Sequence, residues 1–381
     1  MVSCLVEAMR FPYIRIEPDA RLGEVKSKAV AGLSLLILAL LFPVFGVVNA
    51  AAHEKLLFAV DIIRHGDRTP LREFPAAPYV WPEGMEQLTA IGMRQEFDLG
   101  SKLRADYVDR ERLLAPRYTA GTLAVFSTDY DRTLMSAQSF LMGLYPQGTG
   151  PSLPSGQPAL PDAAQPIPIH ALPAGMEFSI IYYTQPENYK DLLTRYVFST
   201  PEWKTRNDAL QPRFAHWSQV TGIEITKLYQ LTSVWNVLYI RKLHHVPLPP
   251  GLSADDIRTI FDAGPWAFTE RFRPAEIGKF VGHPLLKTIA DEIRQASQAN
   301  SPLKCVLIFA HDTTVMSQMS ALGAPLKRTP PYAAHLHYAL FDAGRQNFRI
   351  EVTYNDKPVA IPVCGGTSCT LTQFMALADQ Q

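Results

Sequence analysis

Three short apolar runs in this chain each end in polar residues and then pass into a stretch of helical spacing, and that repeated order limits the fold. Leu56 to Ile63, interrupted by Asp61, leads into Arg64-His65-Gly66. Leu123 to Ser127 leads into Thr128 and then Asp131-Arg132, and Cys305 to Ala310 leads into His311-Asp312. Apolar runs of this length bounded by turn residues predict buried strands. Helical spacing follows in Leu88–Tyr107, Arg132–Tyr145 and Thr313–Leu322. Strands alternating with helices predict an α/β chain: a three-layer α/β/α core on a mainly parallel sheet. Sites in such sheets form beyond the carboxyl ends of the strands, where these polar residues fall.

Between the second and third runs the text changes. Eight prolines fall between Pro146 and Pro173, which reads as a loop. From Glu187 to Ala267 the spacing is helical, with few strand signals. The expected organisation is a core from 53–145 and 268–381, with 146–267 inserted as a Pro-rich loop and a mostly helical cap. His335–Phe341 and Phe348–Tyr354 alternate as two late strands, a candidate hairpin.

Hydrophobic residues at 47% and charged residues at 19% exclude a disordered or fibrous chain. Lys+Arg and Asp+Glu both number 36, so no polyanion-binding surface is advertised and no nucleic-acid partner is expected. Ala29 to Val48 carries no charge, follows Lys26 and Lys28, and ends at the small residues Ala50-Ala51-Ala52. That order reads as a cleaved secretory signal. Residues 1–52 are thus expected to be leader and signal, and the product secreted or periplasmic without stable membrane association. Cys364 and Cys369 flank Gly365-Gly366 closely enough to bridge a tight loop in an oxidising compartment. Cys305, inside an apolar run, reads as a buried, inert thiol.

Arg64-His65-Gly66-Asp67-Arg68-Thr69-Pro70 is the most informative stretch. Planar guanidinium forks bind a tetrahedral oxyanion bidentately. A histidine among them can attack phosphorus as neutral imidazole, and nearby cations keep it neutral by lowering its pKa. An arginine–histidine pair beside an acid is also a common surface ion-pair cluster, and Arg68 with Pro70 argues against that reading. The stretch resembles the signature of the histidine acid phosphatases, a branch of the histidine phosphatase superfamily. Three further segments are similar to that family: Trp81 to Gln95, Ser127-Thr128-Asp129-Tyr130-Asp131-Arg132-Thr133, and Ala310-His311-Asp312-Thr313-Thr314.

The resemblance implies roles residue by residue. His65 is the nucleophile that becomes phosphohistidine. Arg64, Arg68, Arg132 and His311 hold the phosphate. Asp312 protonates the leaving oxygen and then deprotonates the attacking water. The implied activity is an acid phosphatase acting on small phosphate monoesters, with no cofactor. Alternatives are a phytase or a phosphomonoesterase specialised for nucleotides or phospholipid head groups, and a non-catalytic phosphate-binding module. Mutase-like relatives draw the proton from a glutamate in another segment, and Asp312 directly after His311 argues against them.

Other signals are weaker. His335-x-His337 could begin a metal site, but no carboxylate or cysteine follows at ligand spacing, so no metal is expected. His244-His245 reads as a solvated helix end. Tyr182-Tyr183, Trp235 and Trp266 read as core of the insert, and either the insert or an edge strand could form a homodimer interface.

Overall fold

β1 (Lys55–Arg64) runs through the middle of the sheet, and almost every residue of it is buried, as a continuous apolar run predicts for a strand covered on both faces. The computed structural model describes residues 54–172, 186–298, 301–344 and 347–380. The expected signal peptide and Tyr182-Tyr183 lie outside them.

The other strands are β2 (Leu123–Thr128), β3 (His170–Leu172), β4 (Cys305–Ala310), β5 (His335–Asp342), β6 (Phe348–Tyr354), β7 (Lys357–Pro358) and β8 (Ser368–Thr370). Their order is β3-β2-β4-β1-β5-β6-β7, with β8 also on β6. From β3 to β1 the pairing is parallel, and the late strands form the expected antiparallel hairpin, Leu336 facing Tyr354 and Asp342 facing Phe348. Register matters for function. Arg64 pairs with Ala310 and Ser127 with Phe309, so the first three apolar runs end level at one edge of the sheet.

α1 (Ala90–Arg104) and α2 (Asp131–Leu144) cover one face, where Leu103, Ala137 and Phe140 bury against Ala59, Ile63 and Leu307. Phe140 meets Phe309 edge to face at 5.2 Å, the offset that aromatic quadrupoles favour. α1 starts at Ala90 because the Thr89 side chain accepts from the amide of Gly92, and it runs on into a π-helical turn at Ala105–Arg110. α7 (Ala275–Ala296) and α8 (Asp312–Ala321) cover the opposite face, tied there by Tyr338, whose hydroxyl donates to Gln318 Oε1 at 3.3 Å. A three-layer α/β/α sandwich results.

α3 (Pro186–Leu193), α4 (Pro201–Thr221), α5 (Leu231–Leu243) and α6 (Ala254–Glu270) share a second core around Trp217, Leu231, Leu238 and Ile260. Trp217 donates its indole proton to Asp256, which also completes the capping box of α6 with Ser253. Phe74, from the loop after β1, is buried in this core and couples the loop to the helices. β3 lies within the span 146–267 but adds an edge strand to the sheet. Cys364 and Cys369 are disulfide-bonded, and Cys305 is buried and free. Last, α9 (Leu371–Ala378) is capped by Thr370.

Candidate active site

The loop leaving β1 is held against α1 by two glycines. A Cβ on Gly66 would sit 2.4 Å from the carbonyl oxygen of Gly92, and one on Gly92 would sit 2.3 Å from that of Asp67. Only backbone fits in that space. Gly66→Ala should therefore force the loop off α1, costing about 1–3 kcal/mol of stability as overpacking does. Because His65 is the neighbouring residue, turnover should fall with the melting temperature. A variant that keeps both would show that the loop has room to spare.

His65 is buried, its amide donating to the carbonyl of Ala310 at 2.9 Å. Its Nδ1 lies 2.8 Å from the carbonyl of Gly66. A carbonyl only accepts, so Nδ1 carries the proton and Nε2 keeps its lone pair. Burial, and then the charges of Arg64, His311, Arg132 and Arg68, hold the His65 pKa well below the usual imidazole value.

His311 caps α8, its ring 5.5 Å from that of His65, with Nε2 3.1 Å from the Thr128 hydroxyl. Burial and then Arg132 pull its pKa down to about 3, against the opposing pull of Asp312. Asp312 follows as the first residue of α8 and pairs with Arg64 Nη2 at 2.9 Å. Burial raises the Asp312 pKa, but Arg64, Arg68 and His311 outweigh it and leave the carboxyl below its ordinary value.

The three arginines are almost fully buried. Arg64 donates to the carbonyl of Pro330 at 2.5 Å and lies 4.3 Å over the ring of Tyr332. Arg68 donates to the carbonyl of Thr69 at 2.9 Å and lies 3.4 Å from Asn236 Oδ1. Arg132, in the first turn of α2, pairs with Glu86 and lies over the ring of Tyr130. In each of the three the Nε–H is buried without a hydrogen-bond partner, a cost that protein interiors seldom leave unrecovered.

His65, Arg68, Arg132, His311 and Asp312 line one cavity of about 520 Å³, and Arg64 reaches it through Asp312. All six residues singled out from the sequence thus meet at one place. The same cavity takes in residues the sequence gave no reason to choose: Arg72, Tyr130, Arg271, and from α5 Thr232, Ser233 and Asn236. Trp235, expected as core, is buried in the helical core and also faces this cavity.

His244 corrects an expectation. It is not solvated: its Nε2 lies 2.7 Å from Asp67 Oδ2, a carboxylate with no exposure, which also accepts from Thr89 at 2.6 Å. The pair ties the loop after β1 to the end of α5. The two residues stand 177 positions apart, so no local pattern links them.

Residues 55–223 and 268–355 match the family model of the histidine phosphatase superfamily (branch 2). The chain is 32% identical over 376 residues to human testicular acid phosphatase, covering 91% of this chain and 83% of that protein. It is 30% identical over 361 residues to human prostatic acid phosphatase, covering 91% and 90%. It is also 30% identical to the lysosomal acid phosphatase of Xenopus laevis, covering 91% and 80%. Among solved structures it resembles the apo form of Hafnia alvei phytase, with a TM-score of 0.62 at 16% identity, covering 86% of this chain and 97% of that one. With the strand-end histidines and arginines gathered on one cavity, and with family likeness along most of the chain, the conclusion is direct: this chain belongs to branch 2 of the histidine phosphatase superfamily.

Proposed function

We propose that His65 attacks the phosphorus of a bound monoester, with Arg64, Arg68, Arg132 and His311 holding the phosphoryl oxygens and Asp312 serving as the proton carrier. The protein is an acid phosphatase that hydrolyses phosphate monoesters. One observation carries the assignment of roles: three buried guanidinium groups with unpaired Nε–H donors surround a histidine kept neutral with its Nε2 free.

In the first step the Nε2 lone pair forms the N–P bond as the P–O ester bond breaks, and Asp312 hands its proton to the departing oxygen to give the free alcohol. In the second, the Asp312 carboxylate takes a proton from water, the oxygen attacks phosphorus, and the N–P bond breaks to release inorganic phosphate. Arginine forks aimed at the charge that develops on the phosphoryl oxygens lower both barriers.

Thr232, Ser233, Trp235 and Asn236 line the phosphate cavity from α5, which supports the helices α3–α6 as a cap over the site. The charge-free run Ala29–Val48 and the Cys364–Cys369 disulfide support export through a cleaved signal to an oxidising compartment. Among the described residues no helix is long and apolar enough to cross a membrane.

Lysine presents a point charge on a flexible stem and cannot reproduce a bidentate fork. Arg68→Lys and Arg132→Lys should each lower kcat/KM by roughly 10²-fold and weaken competitive inhibition by vanadate. The check is aryl phosphate turnover near pH 5 with vanadate titrated in. An unchanged inhibition constant would separate that arginine from the oxyanion, and wild-type protein that binds vanadate without turning over substrate would leave a binding module.

A further inference from the structure

One polar cluster has no part in this chemistry. Asp61 sits mid-strand in β1 with no exposure at all, in a run that is otherwise apolar. β5 lies beside it in antiparallel register, His337 opposite Asp61 and His335 opposite Ile63, so both imidazoles project from the same face as the carboxylate. His335 Nε2 lies 2.5 Å and His337 Nδ1 2.9 Å from Asp61 Oδ1. Tyr107, brought over by the π-helical turn after α1, donates to Asp61 Oδ2 at 2.6 Å and lies 3.1 Å from His337 Nδ1. Behind them the Cys305 thiol is 3.8 Å from Asp61 Oδ2.

We propose that Asp61, His335 and His337 form a binding site for a divalent transition-metal ion of the zinc class, which clamps β1 to β5. Among the described residues this is the one group of three or more His, Cys, Asp or Glu side chains whose donor atoms converge, all within 4.8 Å of one another. Ligands at zinc bond lengths of about 2.0–2.1 Å stand about 3.3 Å apart in a tetrahedron. To reach that spacing and admit an ion, the 2.5 Å His335 contact and the 2.9 Å His337 contact with Asp61 must open by about 0.8 Å and about 0.4 Å. The carboxylate that spacing within the sequence did not supply comes from the neighbouring strand. Two imidazoles and one carboxylate, with a thiol close by, suit zinc over the hard cations calcium and magnesium. A fourth position falls to the Tyr107 oxygen or to water.

An entry path exists as well. His335, His337 and Tyr107 line a cavity of about 390 Å³, separate from the phosphate cavity. At its wall Asp106 and Glu111 share the single guanidinium of Arg110, and Glu351 shares Arg349 with Glu54, an acid excess that favours a cation.

Metal content tests this without recourse to activity. Protein stripped with a chelator is incubated with excess Zn²⁺, desalted and analysed for zinc. Wild type should retain about one zinc per chain and melt several degrees higher than the stripped form. His337→Gln, at the less buried of the two histidines, and Asp61→Asn should each weaken zinc binding by at least about 100-fold and lose the thermal shift. Aryl phosphate turnover, the same in stripped and loaded wild type, reports that the phosphate cavity is intact. Wild type that keeps less than a tenth of an equivalent with an unmoved melting temperature would overturn the proposal and leave a hydrogen-bonded network. Equal zinc in wild type and His337→Gln would overturn it too, by placing the ion elsewhere.

Discussion

His65→Ala should lower kcat by on the order of 10⁴–10⁶, the scale on which enzymes lose rate when a covalent nucleophile is removed. Nothing else described in the cavity can replace it. His311 faces the same space, but its Nε2 is engaged with the Thr128 hydroxyl. Oxyanion binding should survive in part, since Arg64, Arg68 and Arg132 are held by Pro330, Thr69 and Glu86 and none of them leans on the His65 side chain. Vanadate affinity measured on the variant thus separates loss of the nucleophile from collapse of the pocket. In the wild type, rapid quenching during turnover and mapping of the labelled peptide should find an acid-labile phosphoryl group on His65. Label on a serine or an aspartate, or a variant within tenfold of wild type, would refute the role.

Asp312→Asn keeps the shape of the side chain and removes its proton. Alkyl phosphates, whose alkoxide leaves poorly, should lose about 10²–10⁴ in rate, and aryl phosphates far less. Equal losses for both would mean that Asp312 serves only to hold Arg64. The pH dependence follows from two depressed pKa values. His65, titrating well below the usual imidazole range, is already neutral in acid, so its deprotonation does not restrict activity there. Asp312, held below its ordinary value by Arg64, Arg68 and His311 despite burial, is ionised near pH 5 in the free enzyme. The proton must then arrive with the substrate, as the monoanion of the phosphate ester, whose second ionisation lies at about 6. So kcat/KM for alkyl phosphates should fall as pH rises through that value. A profile flat to pH 8 would show that the acid does not receive its proton this way.

That the residues proposed for catalysis converge was legible because their signals are local. Each residue stands within a few positions of an apolar run, and parallel register then brings the run ends together without further instruction. The helix expected from Leu88 starts instead at Ala90, where the Thr89 cap sets the boundary, and it ends in a π-helical turn that no period announces. His244 escaped for a different reason. Helix-end histidines are usually solvated, and only the fold brings a buried carboxylate to this one. Asn236 reaches Arg68 across 168 positions, and Asp61 meets His335 across 274. Such contacts leave no trace in periodicity or composition.

The central strand also sets a timetable. β1 is the first strand of the sheet to be synthesised, yet its partners on the two sides contain Cys305 and His335, 244 and 274 residues beyond Asp61. At roughly 5–20 residues per second, ribosomal synthesis leaves it without either neighbour for tens of seconds. Throughout that interval an apolar segment presents two open edges, the condition under which strands pair with the wrong chain. Nascent chains of this protein must therefore be shielded or kept extended until the last third emerges. For the same reason the cavity cannot form on a partial chain: His65 is made early and Asp312 late, and only the finished sheet brings them together.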